Sequence, residues 1–332
     1  MDRLAALVSP GRSLERAQTR AGLVEALGYE LVLDNHIFNR DGLSTVVAYG
    51  SSTSSIDLGT GVYPMLHMSP VALGQLAASI DELVGGRLVL GIGTSHRPTI
   101  EDVHGLEFPD SPLTAMRDAV TILRAMFREG EVRHDGEVFS AGFSFRGFTP
   151  RPDIPIYLAA LGPKMLQLAG ELADGVVLWL CNPDYIENSV VPNLRTGAER
   201  AGRDPGAIEI VPAITCSVTD DPDDARSRFK RQLVPYLSLP FYRSMLEDSG
   251  FGDDLERFDE GMTEGDVDRA LQGVSDGLID SLSGIGTIED VQAAIERYRE
   301  AGATLPGVGP LGGEDGAIER TFAAAAGREV DA

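Results

Sequence analysis

Short apolar runs alternate with stretches of helical spacing along most of this chain, and that alternation restricts it to folds assembled from βα repeats. Residues 4–8, 31–33, 56–62, 87–91, 154–160, 175–180 and 208–218 read as strands. Residues 14–27, 43–49, 70–83, 113–127, 164–172 and 185–201 read as the helices between them. In 113–127, for example, Met116, Val120, Leu123 and Phe127 fall on one face. The uninterrupted run Val176, Val177, Leu178, Trp179, Leu180 suits a parallel strand covered on both faces. An α/β fold of the (β/α)8 or TIM-barrel type, with insertions at the C-terminal ends of the strands, satisfies the whole pattern.

A chain of 332 residues can be one such barrel, so residues 1–332 are expected to form a single domain. Interruptions fall at about 95–112, 131–152 and 238–283. Residues 220–283 have helical stretches but no clear strand, and read as helix seven plus an insertion. Thr287 is placed to cap a helix reaching Glu300, with Gly302 as its stop and a weak strand over 303–308. An Ala-rich closing helix follows.

The formal net charge of -23, with Lys and Arg scattered, leaves no footprint for nucleic acid or an anionic membrane. Cys181 and Cys216 stand far apart with no ligand-spaced Cys or His, so neither a disulfide framework nor a metal site is expected. The first ten residues lack the basic and apolar segments of an export signal, and no run approaches the ~20 apolar residues of a membrane span. A cytoplasmic protein acting on a small molecule is the expectation.

In barrels of this kind chemistry sits where strands end. Those positions hold Asp34, Asn35 and His36; Gly61, Val62, Tyr63 and Pro64; Gly93, Thr94, Ser95 and His96; Ala160 to Lys164; and Cys181 with Asn182. His36 and His96 can each exchange a proton near neutral pH, or simply satisfy a loop hydrogen bond. His67, His104 and His134 are assigned to the surface or to supporting positions. Gly91 and Gly93 form only a fragment of a dinucleotide-binding loop, and are better used where the backbone approaches a ring closely. Gly162, Pro163 and Lys164 set a glycine, a helix-starting proline and a cation at a helix N-terminus, where a phosphate or ordinary capping would both fit.

The segments GYELVLDNHIF (28–38), IDLGTGVYPMLHMSP (56–70), LVGGRLVLGIGTS (83–95), PIYLAALGPKMLQLAGELADGV (155–176) and GTIEDVQAAIERYREAG (286–302) resemble, in content and order, the luciferase-like monooxygenase family. Members are (β/α)8 barrels that use FMN or the deazaflavin coenzyme F420. The resemblance implies a non-prolyl cis peptide at Gly61–Val62, in a bulge under the cofactor ring. It also implies a cofactor side-chain and phosphate site at Ala159, Ala160, Gly162, Pro163 and Lys164, in a form like that of the deazaflavin-dependent reductases. Asn35, Gly93, Thr94 and Ser95 join the expected cofactor contacts, and His36 with His96 the catalytic set. Two departures stand out: Asn35, not Asp, precedes His36, and His96 or Ser95 occupies the place of a glutamate proton donor. The implied activity is hydride transfer between F420 and a C=C, C=N or C=O bond of a small organic substrate. An FMN-dependent monooxygenase and a non-catalytic barrel subunit are the alternatives. A homodimer is the family's usual assembly. Phe241, Tyr242, Met245 and Phe251 are read as facing an apolar substrate or a dimer contact.

Overall fold

A computed structural model describes residues 3–34, 40–313 and 316–328. Eight parallel strands close into a ring: β1 (Ala5–Leu7), β2 (Leu31–Asp34), β3 (Asp57–Thr60), β4 (Leu88–Gly93), β5 (Ile156–Ala159), β6 (Gly175–Trp179), β7 (Glu209–Val218) and β8 (Gly307–Pro310). Each strand pairs with its successor, and β8 returns to β1 through Ala5 opposite Gly307. The chain is therefore a (β/α)8 barrel, as its repeat pattern requires.

Two apolar clusters separate the inside of the ring from its outside. Leu31, Leu33, Val89, Tyr157, Val177 and Val211 belong to the small interior cluster. Their neighbours along each strand, among them Val32, Leu88, Leu90, Leu158, Val176 and Leu178, belong to the larger core beneath the helices. The period of two along a strand produces this division, and burial on both sides explains the absence of polar alternation.

Local signals fix where the helices begin and end. Ser13, Asp41, Ser69, Ser111 and Asp221 each accept a backbone N–H of the helix they open. Thr287 and Asp290 form a reciprocal capping box for Ile288–Glu300. Gly28 and Gly130 close Leu14–Leu27 and Pro112–Glu129 in the left-handed region.

The insertions differ from the sequence reading in two places. Residues 131–152 contain an antiparallel hairpin, Glu131–Asp135 with Ser140–Ser144. It follows the helix Pro112–Glu129 and precedes β5, so it lies at the N-terminal end of the barrel, away from the mouth. Asp118, 5% exposed, holds it: the carboxylate accepts the amides of Val138 and Phe139 and bonds His134 Nε2 at 2.9 Å. Burial alone would raise the Asp118 pKa, but His134 and the two amides together keep it below the usual carboxylate value.

The second difference concerns helix seven. The helix that joins β7 to β8 along the barrel wall is Ile288–Glu300, which packs against β7. Pro222–Leu237 instead packs with Pro240–Asp248, Val267–Gly273 and Asp276–Leu282, making the roof a longer unit than 238–283. A further short parallel strand, Ser283–Gly286, pairs with the C-terminal half of β7 as the chain leaves this roof.

Candidate active site

The mouth of the barrel is organised by an irregularity after β3. Gly59 pairs with Val89, and the next pair is Tyr63 with Ile92, so three residues on one strand stand opposite two on the other. That is a β-bulge, and within it the Gly61–Val62 peptide bond is cis. Thr60 Oγ1 donates to the Gly91 carbonyl at 2.6 Å and locks the bulge to β4. A β-carbon on Gly91 would stand 1.8 Å from the Thr60 carbonyl oxygen, and one on Gly93 would stand 2.8 Å from Cγ2 of Val62. The two glycines therefore make room for the bulge's own backbone and side chain.

Val62 is partly buried against the interior cluster and partly open, so it forms a floor. Gly93 stands beside it and beside Ala159 at strand ends, where larger side chains would fill the mouth. Thr215 and Ser217 continue the inward face of Val211 up β7 and are buried, 5% and 2% exposed. The site has small walls, an aliphatic floor and a few hydroxyls.

One side of the mouth is aromatic. Trp179, two residues beyond inward-facing Val177, meets Tyr236 edge-on with centroids 5.8 Å apart. Tyr236 meets Tyr242 at 5.3 Å, and Tyr242 meets His96 at 5.9 Å. This chain of rings ties the ends of β4 and β6 to the roof, and Ser249 Oγ reinforces it by donating to Asn182 Oδ1 at 3.2 Å. Sequence reading did not assemble the group, although the alternation through Val177 already turned Trp179 inward. Ser95 and Leu180, one after β4 and one after β6, take positive φ of 59° and 58°. Such angles are uncommon for side-chain-bearing residues, and they fall here at the rim.

The expected residues are distributed as follows. Asn35 and His36 lie outside the described residues. Asp34 is buried on the outer face of β2, interacting with Tyr49, and does not enter the barrel. Thr94, Ser95 and His96 are half-buried at the rim, and burial holds the His96 imidazole below its ordinary pKa, so it is neutral at pH 7. Ala159 and Ala160 end β5; Gly162 precedes the helix Pro163–Leu172 with no side-chain cap, and Lys164 is exposed in its first turn. Cys181 is buried, which pushes its thiol pKa up and leaves it unreactive. His67 packs against His104 at a tilt of 53° with ring centroids 4.2 Å apart, and His134 serves the hairpin at the other end. Tyr242 and Met245 are buried in the roof, whereas Phe241 is 68% exposed. No group of potential metal ligands occurs among the described residues, and no helix among them is long and apolar enough to cross a membrane.

The profile of the luciferase-like monooxygenase family matches residues 1–305. The chain belongs to that family. It is accordingly an oxidoreductase of the F420- or flavin-dependent class. This luciferase-like protein is 35% identical over 297 residues to a 5,10-methylenetetrahydromethanopterin reductase of Archaeoglobus fulgidus, a match covering 87% of the chain and 88% of the relative. It is 27% identical, over 87% of its length and 89% of the relative's, to a putative coenzyme F420-dependent oxidoreductase of Mycobacterium tuberculosis. In three dimensions it resembles the coenzyme F420-dependent tetrahydromethanopterin reductase of Methanopyrus kandleri, with a TM-score of 0.82, 25% identity and coverage of 97% and 96% of the two chains.

Proposed function

We propose that this protein transfers a hydride between coenzyme F420 and a small organic substrate, most simply in the reduction of a C=C, C=N or C=O bond. The observation that carries the reading is the β3 bulge, which sets Val62 as the floor of a mouth bordered by the small residues Gly93 and Ala159. A flat tricyclic group needs such a floor and such small walls. When bound, F420 supplies the two-electron hydride chemistry.

The chain's own residues supply position, exclusion of water and a proton path. Gly61, Val62, Gly93, Thr94 and Ser95 would hold the ring. Ala159, Ala160 and Gly162 line the way to the helix at Pro163, whose uncapped first turn and Lys164 suit a phosphate. The roof, drawn to the rim through Tyr242, limits water over the site. Neutral His96 can accept or donate one hydrogen bond at a substrate oxygen or nitrogen. His36 is proposed from its sequence position as the proton-handling group. The similarity to F420-dependent relatives supports F420 over FMN.

Equilibrium titration tests the cofactor assignment. Wild-type protein is expected to quench deazaflavin fluorescence with a micromolar dissociation constant and to leave FMN unbound. Lys164→Ala is expected to weaken F420 binding by about 5- to 50-fold, the range for one charge-assisted contact. Preference for FMN would assign the site to a flavin monooxygenase instead. Assembly as a homodimer is also inferred from the family, and sedimentation at micromolar concentration reads it.

A further inference from the structure

A second feature of the rim lies half a turn around the ring from Lys164. Between β1 and the helix Leu14–Leu27 the chain forms a recess of about 340 Å³ lined by Pro10, Gly11, Arg12, Ser13, Arg16 and Arg20. Its residues follow the C-terminal end of β1, the end of the barrel at which the mouth lies. Three arginines line it in a chain with 51 acidic and only 28 basic residues.

Their charge is not all spent internally. Arg20 pairs with Glu319 at 2.7 Å and Arg16 adds a longer-range attraction to the same carboxylate, but neither Arg12 nor Arg16 forms an ion pair within 4.0 Å among the described residues. The helix terminus is not the source of the potential, since Ser13 Oγ already takes the Arg16 amide at 3.2 Å. Arg40 braces the loop from below by donating to the Gly11 carbonyl at 2.8 Å. What remains are two planar forks without a close ion-pair partner, Arg12 and the more distantly screened Arg16, on the wall of a small cavity, a geometry that can recognise phosphate or carboxylate.

The geometry points to an anion-binding subsite at Arg12 and Arg16 that holds a phosphate or carboxylate group of the substrate. The substrate class is thus a small molecule with an anionic end remote from the carbon that exchanges hydride. This rests on the proposed F420 reading, which places the cofactor's own phosphate at Lys164 after β5. In an eight-strand ring β1 and β5 are four strands apart in either direction, so one phosphate cannot occupy both places.

Isothermal titration with inorganic phosphate, at ionic strength held constant with sodium chloride, tests the subsite. Wild-type protein saturated with F420, which fills the Lys164 site, should show saturable 1:1 phosphate binding, and Arg12→Ala with Arg16→Ala should weaken it at least about tenfold. Both side chains are exposed, so the double variant should keep the wild-type melting temperature. Its affinity for F420 should stay within about twofold of wild type. Arg12→Lys with Arg16→Lys should recover part of the phosphate affinity, because charge is restored without the fork. Equal phosphate binding by wild type and the double alanine variant overturns the subsite. An F420 affinity that falls with the phosphate affinity overturns the assignment to substrate and gives the recess to the cofactor. Failure of wild type to bind F420 at all would instead remove the F420 reading, and the phosphate titration separates the two cases.

Discussion

The position a β-carbon would take on Gly91 lies 1.8 Å from the carbonyl oxygen of Thr60, closer than any non-bonded contact allows. At Gly93 the conflict is milder, 2.8 Å from a side-chain methyl of Val62. The first glycine protects the backbone of the bulge, and the second leaves Val62 its place in the mouth.

Substitution should separate these roles. Gly91→Ala must displace a backbone carbonyl, and is expected to cost about 3 kcal/mol or more, at the severe end for overpacking. Gly93→Ala can be met by a small shift of Val62, at about 1 kcal/mol, but should weaken F420 binding by narrowing the mouth. Urea denaturation and cofactor titration on the two variants read the difference. Equal stability losses would contradict it.

The histidines should show their part in the pH dependence. With its folded pKa lowered by burial, His96 binds a proton less readily folded than unfolded. Its contribution to stability is thus complete above the ordinary histidine value of about 6.5, and is lost as pH falls from there through the lowered folded value. His96→Phe should flatten that part of the stability curve. His36→Ala should abolish turnover and leave the F420 dissociation constant within a few fold. Turnover retained by His36→Ala would exclude His36 from proton handling.

Asp118 offers a control far from the mouth. Its pKa is lowered in the fold, so its contribution is present above the ordinary aspartate value of about 3.9 and is lost as pH falls through the folded one. Asp118→Asn should cost about 1–3 kcal/mol, the range for disturbing a buried hydrogen-bonded carboxylate. F420 affinity should not change. A changed affinity would mean that the hairpin and the mouth are coupled.

Much of the barrel was legible because its signals are local. Doubly covered strands such as 175–179 are continuously apolar, and Ser13, Ser69 and Thr287 mark helix starts. Pro222–Leu237 reads as a wall helix from sequence because an amphipathic helix carries the same pattern on a barrel or in a roof. The 131–144 hairpin has half-exposed, Gly-containing strands whose partner is a carboxylate on a preceding helix, a tertiary fact that no short pattern encodes. The Gly61–Val62 geometry came from family resemblance and not from residue spacing. The aromatic chain from Trp179 through Tyr236 and Tyr242 to His96 joins residues up to 146 positions apart in sequence numbering, from His96 to Tyr242, and only the fold assembles it.

Trp179 is the chain's only tryptophan, and it stands at the mouth. Its emission therefore reports directly on whether a redox ring lies over Val62. Titration with F420 should quench that emission saturably at 1:1, with the dissociation constant found from deazaflavin fluorescence, and Gly93→Ala should shift both curves together. Binding of F420 that leaves Trp179 emission unchanged would put the cofactor elsewhere and contradict the account.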